Sequence, residues 1–248
     1  MAETPEGPPP RPEHPPADAD KSSETPASQH RGWLVETLAQ VTRPARRLGK
    51  SLGMQIQRQL HPFRHWHSRR RVRNEESIQS VGFVCLGNIC RSPYAEYRLK
   101  QLLASSHPDE VGRSIRVSSV GFIGPGRPSP EVACKVAESR GVDLEAHRSR
   151  AIDPLFLEQT ELILVMTGSQ LRDLRWRYRR PDAIHLGDLD PGPVLARDIP
   201  DPYGHPPSHF QQTYSRIDSA LEVLAGILMN QGKSSPRETS PGADGSGT

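Results

Sequence analysis

Between Ser80 and Met229 the chain alternates short apolar runs with longer stretches in which apolar residues recur every three or four positions. Val81–Leu86 is a nearly unbroken apolar run of strand length, and Ile115–Ser119, Glu161–Thr167 and Ala183–Leu186 follow it at intervals. The stretches between them have the periodicity of helices. Ser92 and Pro93 supply an N-cap and a first-turn proline for a helix through Leu103. Pro130–Arg140 stops at Gly141, Gln170–Tyr178 follows the third strand, and Ser208–Met229 makes a long last helix. This alternation predicts an α/β fold: a single domain with a four-stranded parallel sheet and helices on both faces. In such a sheet a ligand sits beyond the carboxyl ends of the strands, where the first strand meets its helix.

Upstream the pattern is different. Leu34, Leu38, Val41, Ala45, Leu48 and Leu52 form a helical stripe with Arg43, Arg46, Arg47 and Lys50 between them, and Pro44 interrupts it. A basic, aromatic-dotted run follows: His61, Arg64, His65, Trp66, His67 and Arg69–Arg71. Composition separates these parts. The chain has 248 residues and 25 prolines, eight of them in the first 30 residues among Glu, Asp, Ser and Ala. Such a stretch cannot bury enough apolar surface to offset its ordering entropy. The expected organisation is therefore a disordered Pro-rich tail at 1–30, a basic arm at 31–76, a domain at 77–230 and a second disordered tail at 231–248.

Charge sharpens that division. Residues 31–73 hold 11 basic residues against one acidic, whereas 77–230 hold 17 against 18. A near-neutral domain is not built to grip nucleic acid, and no nucleic-acid partner is expected. The arm has two readings: an amphipathic surface helix that meets an anionic membrane or a partner, or a solvated linker. His61, His65 and His67 lack Cys or carboxylate companions, so they are expected to be solvated rather than to hold a metal. Three cysteines, Cys85, Cys90 and Cys134, make no disulfide framework and suggest a reducing, cytoplasmic setting. The N-terminus shows no secretory signal, and no apolar run reaches 18 residues. Cys134 falls within a helix and reads as a packing residue, and Trp33, Trp66 and Trp176 carry no site signal. His205 and His209, close after Asp201, read as rim or solvated residues.

The chemistry is concentrated in Cys85-Leu86-Gly87-Asn88-Ile89-Cys90-Arg91-Ser92-Pro93, at the end of the first strand. Gly87 and Asn88 tolerate the positive φ that lets backbone N–H groups turn inward as an anion nest. The helix beginning at Ser92 aims its positive end at the same point. Arg91 adds a planar fork for two phosphoryl oxygens. A thiol among such donors should exist as thiolate near neutral pH. A nucleophile beside an oxyanion cradle suits covalent phosphoryl transfer and needs no cofactor and no metal.

This stretch resembles the signature of low-molecular-weight protein tyrosine phosphatases, and the resemblance runs from Val81 to Met229. Val117-Ser118-Ser119-Val120-Gly121, His147-Arg148-Ser149-Arg150, Met166–Leu174 and Ile199-Pro200-Asp201-Pro202-Tyr203 occur in the family's order. The resemblance implies a flavodoxin-like fold and a phosphorylated protein as substrate. It makes Cys85 the nucleophile, Arg91 the oxyanion ligand and Asp201 the general acid. Leu86, Gly87, Asn88, Ile89, Cys90 and Ser92 complete the phosphate-binding loop, with Ser92 donating to the thiolate and Asn88 holding the loop. Ile89 and Tyr203 would shape the substrate pocket, and Cys90 would form a redox pair with Cys85.

Related protein-arginine phosphatases carry Thr where this chain has Ile89, which points to phosphotyrosine, whereas Gly204 leans toward the arginine group. Arsenate reductases of this fold relay a disulfide through downstream cysteines, and only Cys134 follows Cys90 here. A reading of another class is a phospho-binding or scaffold module acting through its basic arm.

Overall fold

The computed structural model describes residues 55–56, 58–75, 77–106, 115–192 and 196–231. The tails at 1–30 and 232–248, the stripe Leu34–Leu52 and Trp33 lie outside the described residues. Strand β1 (Ser80–Cys85) is the centre of the sheet, and all its residues are buried. β2 (Arg116–Gly121) pairs with one side of it and β3 (Leu162–Val165) with the other, while β4 (Ile184–His185) lies outside β3. The order is β2-β1-β3-β4 and every pairing is parallel, as the alternating pattern predicts.

Side-chain alternation along these strands divides the core in two. Val81, Phe83, Cys85, Leu162 and Leu164 join the larger cluster. It is closed by α2 (Arg91–Ser106), by the helix at Glu131–Glu138 (α3) and by the long terminal helix. Val84, Val120, Ile163 and Val165 face the opposite way. A helix at Pro154–Gln159 (α4) covers them with Phe156 and Leu157, and α5 (Gly168–Trp176) adds Leu171 and Leu174. The terminal helix, α6 (Pro207–Gln231), locks onto α2 through Tyr94 and Tyr214, whose rings lie parallel with centroids 3.8 Å apart. The Tyr94 hydroxyl donates to Asp218 Oδ1 at 2.9 Å, and Arg140 holds the other carboxylate oxygen at 2.6 Å.

Two helices depart from the expected pattern. The first, α4, had a readable signal: the side chain of Asp153 accepts from Phe156 N at 2.7 Å, and Pro154 occupies the first turn. The second is α1, residues 58–74, within the segment expected to be an arm. It packs on the domain through its inner face. His61 and His65, expected to be solvated, donate instead to the carbonyls of Asp190 (2.8 Å) and Asp188 (3.0 Å). Val72 is buried in the larger cluster, and Gln231 donates to the carbonyls of Val72 and Glu75, occupying acceptors at the end of α1. The inner face of α1 is thus largely polar, while Leu60, Phe63 and Trp66 are exposed, as is Ile56 just upstream. Apolar periodicity marks the wrong face for docking, which is why the sequence pattern conceals the contact.

Burial lowers the pKa of His65, His147 and His185 in the folded protein. In the unfolded chain each returns to about 6.5, so below that pH the unfolded state binds more protons than the folded one. The stability these neutral rings contribute is present above pH about 6.5 and is lost as pH falls toward the lowered folded values. The denaturant midpoint is expected to fall between neutral and mildly acid pH, and to fall less in His65→Gln. Equal slopes for the two proteins in that interval would refute this account.

Candidate active site

Residues 86–90 carry the chain from the end of β1 to the start of α2. Asn88 holds the turn in the left-handed region at φ 51°. Its side chain is wholly buried and fully engaged. Nδ2 donates to Ser92 Oγ (2.9 Å) and Ser119 Oγ (2.8 Å), and Oδ1 accepts from Arg150 N at 2.7 Å. Because Arg150 N can only donate, the amide orientation is fixed by its partners. The loop carbonyls are drawn away from the sulphur: Gly87 O accepts from Arg127 and Asn88 O from His147 Nε2, at 3.0 and 2.8 Å. Gly121, level with Cys85 in the sheet, makes room for this path; a Cβ there would stand 2.8 Å from Asn88 N.

Two donors converge on the nucleophile candidate. Asn88 N–H reaches Cys85 Sγ at 3.2 Å and the Ser92 hydroxyl at 3.1 Å. Arg91 is buried, donates through Nη1 to Ile199 O at 3.2 Å, and pairs through Nη2 with Asp201 Oδ2. Its Nε is buried and has no hydrogen-bond partner among the described residues. Cys85, Arg91, Ser92 and Asn88 are therefore brought together with Asp201, which arrives from 110 residues downstream.

Asp201 is held from behind. His185 accepts from Gly187 N at Nδ1 (3.1 Å), so its proton sits on Nε2 and is donated to Asp198 Oδ1 at 2.9 Å. Asp198 also accepts from Gly168 N, tying the loop to the start of α5; the His185 bond is the main cause of its lowered pKa. Arg197 binds both carboxylate oxygens of Asp188, and Arg216 holds Asp190 and the carbonyls of Asp198 and Ala196.

A cleft of about 630 Å³ opens between this loop and the phosphate-loop side, reaching α5. Leu86, Phe122 and Ile123 line it on the loop side, with Tyr178, Arg177 and Asp173 from the α5 region. Phe122 and Tyr178 stand 5.9 Å apart by ring centroids. Of the residues expected to shape the pocket, Ile89 packs in the larger core cluster, as Cys85 does, and Tyr203 is 62% exposed; neither is among the residues that line this cleft. Cys90 is also buried in that cluster, and desolvation, reinforced by Cys85, raises its thiol well above the ordinary range. His205 and His209 are exposed and stack on each other, while Cys134 packs partly buried against the core.

Several contributors were not legible as site residues. Glu96 is buried one helical turn beyond Ser92 and accepts from Ser119 Oγ at 2.7 Å, extending the Asn88 network. Its spacing from Ser92 places it on the same face of α2, a signal available in the sequence. Arg127 and the backbone of Arg150 act through folding of distant loops and leave no local signature.

Comparison with known proteins agrees with this geometry. Residues 80–234 match the family described as low molecular weight phosphotyrosine protein phosphatase. The low molecular weight protein-tyrosine-phosphatase Ptp of Acinetobacter johnsonii is 34% identical over 146 residues, 58% of this chain and 94% of its own. Among solved structures, Vibrio vulnificus Wzb in complex with benzylphosphonate is 30% identical with a TM-score of 0.51, covering 60% of this chain and 98% of its own. The YwlE arginine phosphatase, solved with a phosphorylated active-site serine, is 25% identical with a TM-score of 0.53, covering 60% of this chain and 95% of its own. The loop, the sheet and the match across most of the domain place this chain in the low-molecular-weight phosphotyrosine protein phosphatase family.

Proposed function

We propose that the protein hydrolyses phosphotyrosine in protein substrates through a cysteinyl-phosphate intermediate. The observation that carries this reading is the pairing of buried Arg91 with Asp201 at the mouth of the loop that directs two donors onto Cys85 Sγ. A phosphate dianion matches the Arg91 fork and its unpaired Nε better than a single carboxylate does. On binding, it takes Nη2 from Asp201 and frees that carboxyl for proton transfer.

In the first step the Cys85 thiolate attacks phosphorus and the bond from phosphorus to the phenolic oxygen breaks. Asp201 gives its proton to the leaving oxygen. Arg91 and the inward N–H groups hold the equatorial oxygens, so positioning and electrostatics supply most of the rate. In the second step the Asp201 carboxylate takes a proton from water as its oxygen attacks phosphorus, and the bond to sulphur breaks. Inorganic phosphate leaves and Cys85 is regenerated.

The walls of the cleft favour an aromatic leaving group, with Leu86, Phe122 and Ile123 offering apolar surface and Tyr178 a second ring. A second reading, phosphoarginine, draws on Asp173 and Asp198 in the same cleft, carboxylates that suit a guanidinium, and on the likeness to an arginine phosphatase.

With p-nitrophenyl phosphate, Cys85→Ser is expected to abolish turnover; an inactive wild type would leave only a binding or scaffold role. Asp201→Asn should lower kcat by about 10²–10⁴, more for a poor leaving group such as phenol than for p-nitrophenol. Equal losses on the two would remove Asp201 from the role of acid. Phe122→Ala should lower kcat/KM for a phosphotyrosine peptide by about tenfold, the loss of one buried aromatic contact. A wild type that prefers a phosphoarginine peptide would establish the second reading.

A further inference from the structure

The exposed side of α1 combines two properties that the catalytic domain does not use. Ile56, Leu60, Phe63 and Trp66 follow at helical spacing and are each about half exposed or more, from 47% at Leu60 to 65% at Phe63. Around them, residues 55–74 contain six arginines and no aspartate or glutamate. Arg58, His67, Arg70 and Arg73 are exposed, and the Arg70 guanidinium lies 5.2 Å above the Trp66 ring. The opposite side of the helix is already occupied by the domain through His61, His65 and Val72. The family match begins at residue 80, so this helix is an addition to the phosphatase fold.

The occupant of such a face has to be apolar and anionic together. Nucleic acid offers the charge but no use for an Ile–Leu–Phe–Trp stripe. A second copy of the face would set arginines against arginines. We infer that α1 lays this face on an anionic membrane surface, with its aromatic and aliphatic side chains at the level of the headgroups and its arginines against lipid phosphates. The arrangement is that of an interfacial amphipathic helix, with the domain fixed to its polar back. No helix among the described residues is long and apolar enough to cross a membrane, so the contact is peripheral.

The test is co-sedimentation of the full chain with vesicles of phosphatidylcholine alone or mixed with phosphatidylglycerol, at low and high salt. Binding is expected only to the mixed vesicles and to weaken with salt, as screening shortens the reach of the arginines. Arg70→Gln with Arg73→Gln should weaken partition about thirtyfold, from the contribution of each basic residue near an anionic surface. Phe63→Ser with Trp66→Ser should weaken it by a similar factor. All four side chains are exposed, so thermal unfolding should be unchanged and report that the variants fold. Equal binding to neutral vesicles, or binding that survives both pairs of substitutions, overturns the proposal. A dimer in sedimentation velocity that the same substitutions abolish overturns it also, by making a second copy the occupant.

Discussion

Asn88 must satisfy all the polar atoms of its side chain in a place closed to water, while its backbone sits in a conformation few residues adopt. It does so by joining separate elements of the chain: Ser92 on α2, Ser119 within β2, and Arg150 in the loop that follows α3. A buried polar atom left without a partner costs about 1–3 kcal/mol, so the loop and its supports are mutually obligatory. If the loop were to relax, Ser92 and Asn88 N–H would leave the Cys85 sulphur, and the carbonyls now held by Arg127 and His147 would be released. The positive φ is thus maintained by the fold around it.

The acid side of the site is organised by a different device. Asp188, Asp190 and Asp198 are matched by Arg197, Arg216 and His185, each through hydrogen bonds of 3.2 Å or less. Charge-assisted bonds of this kind fix direction as well as distance. Ile199 anchors residues 196–201 in the larger core cluster and donates its N–H to Met166 O at 2.9 Å, and polar pairing holds the rest of the segment that carries Asp201. His185 is central: burial keeps it neutral, and neutrality lets one nitrogen accept from Gly187 while the other donates to Asp198.

The sheet and the phosphate loop were legible in the sequence for a shared reason, which is locality. Val81–Leu86 announces a strand by itself, and Cys85, Asn88, Arg91 and Ser92 lie within eight positions. What escaped depends on contacts between distant segments. Ile89 is apolar and lies four positions after Cys85, and it packs with Cys85 in the larger core cluster, while Leu86 and Phe122 are among the residues that line the cleft. Tyr203 follows Asp201 by two residues and is exposed, and it is not among the residues that line this cleft. The polar inner face of α1 has no periodic signal, because histidines bound to carbonyls substitute for apolar packing.

The contacts of α1 also impose an order on assembly. His61 and His65 bond to carbonyls 129 and 123 residues later, and Gln231 reaches back 159 residues to Val72. Those carbonyls are presented only once β4 and the turn after it have formed. The helix therefore cannot finish docking before the far end of the sheet exists, and contacts of such long range are slow to form. Its inner face is largely polar and gives the apolar core only Val72. Its greasy side gains no cover when docking is complete, so the helix leaves folding with Leu60, Phe63 and Trp66 still presented to solvent.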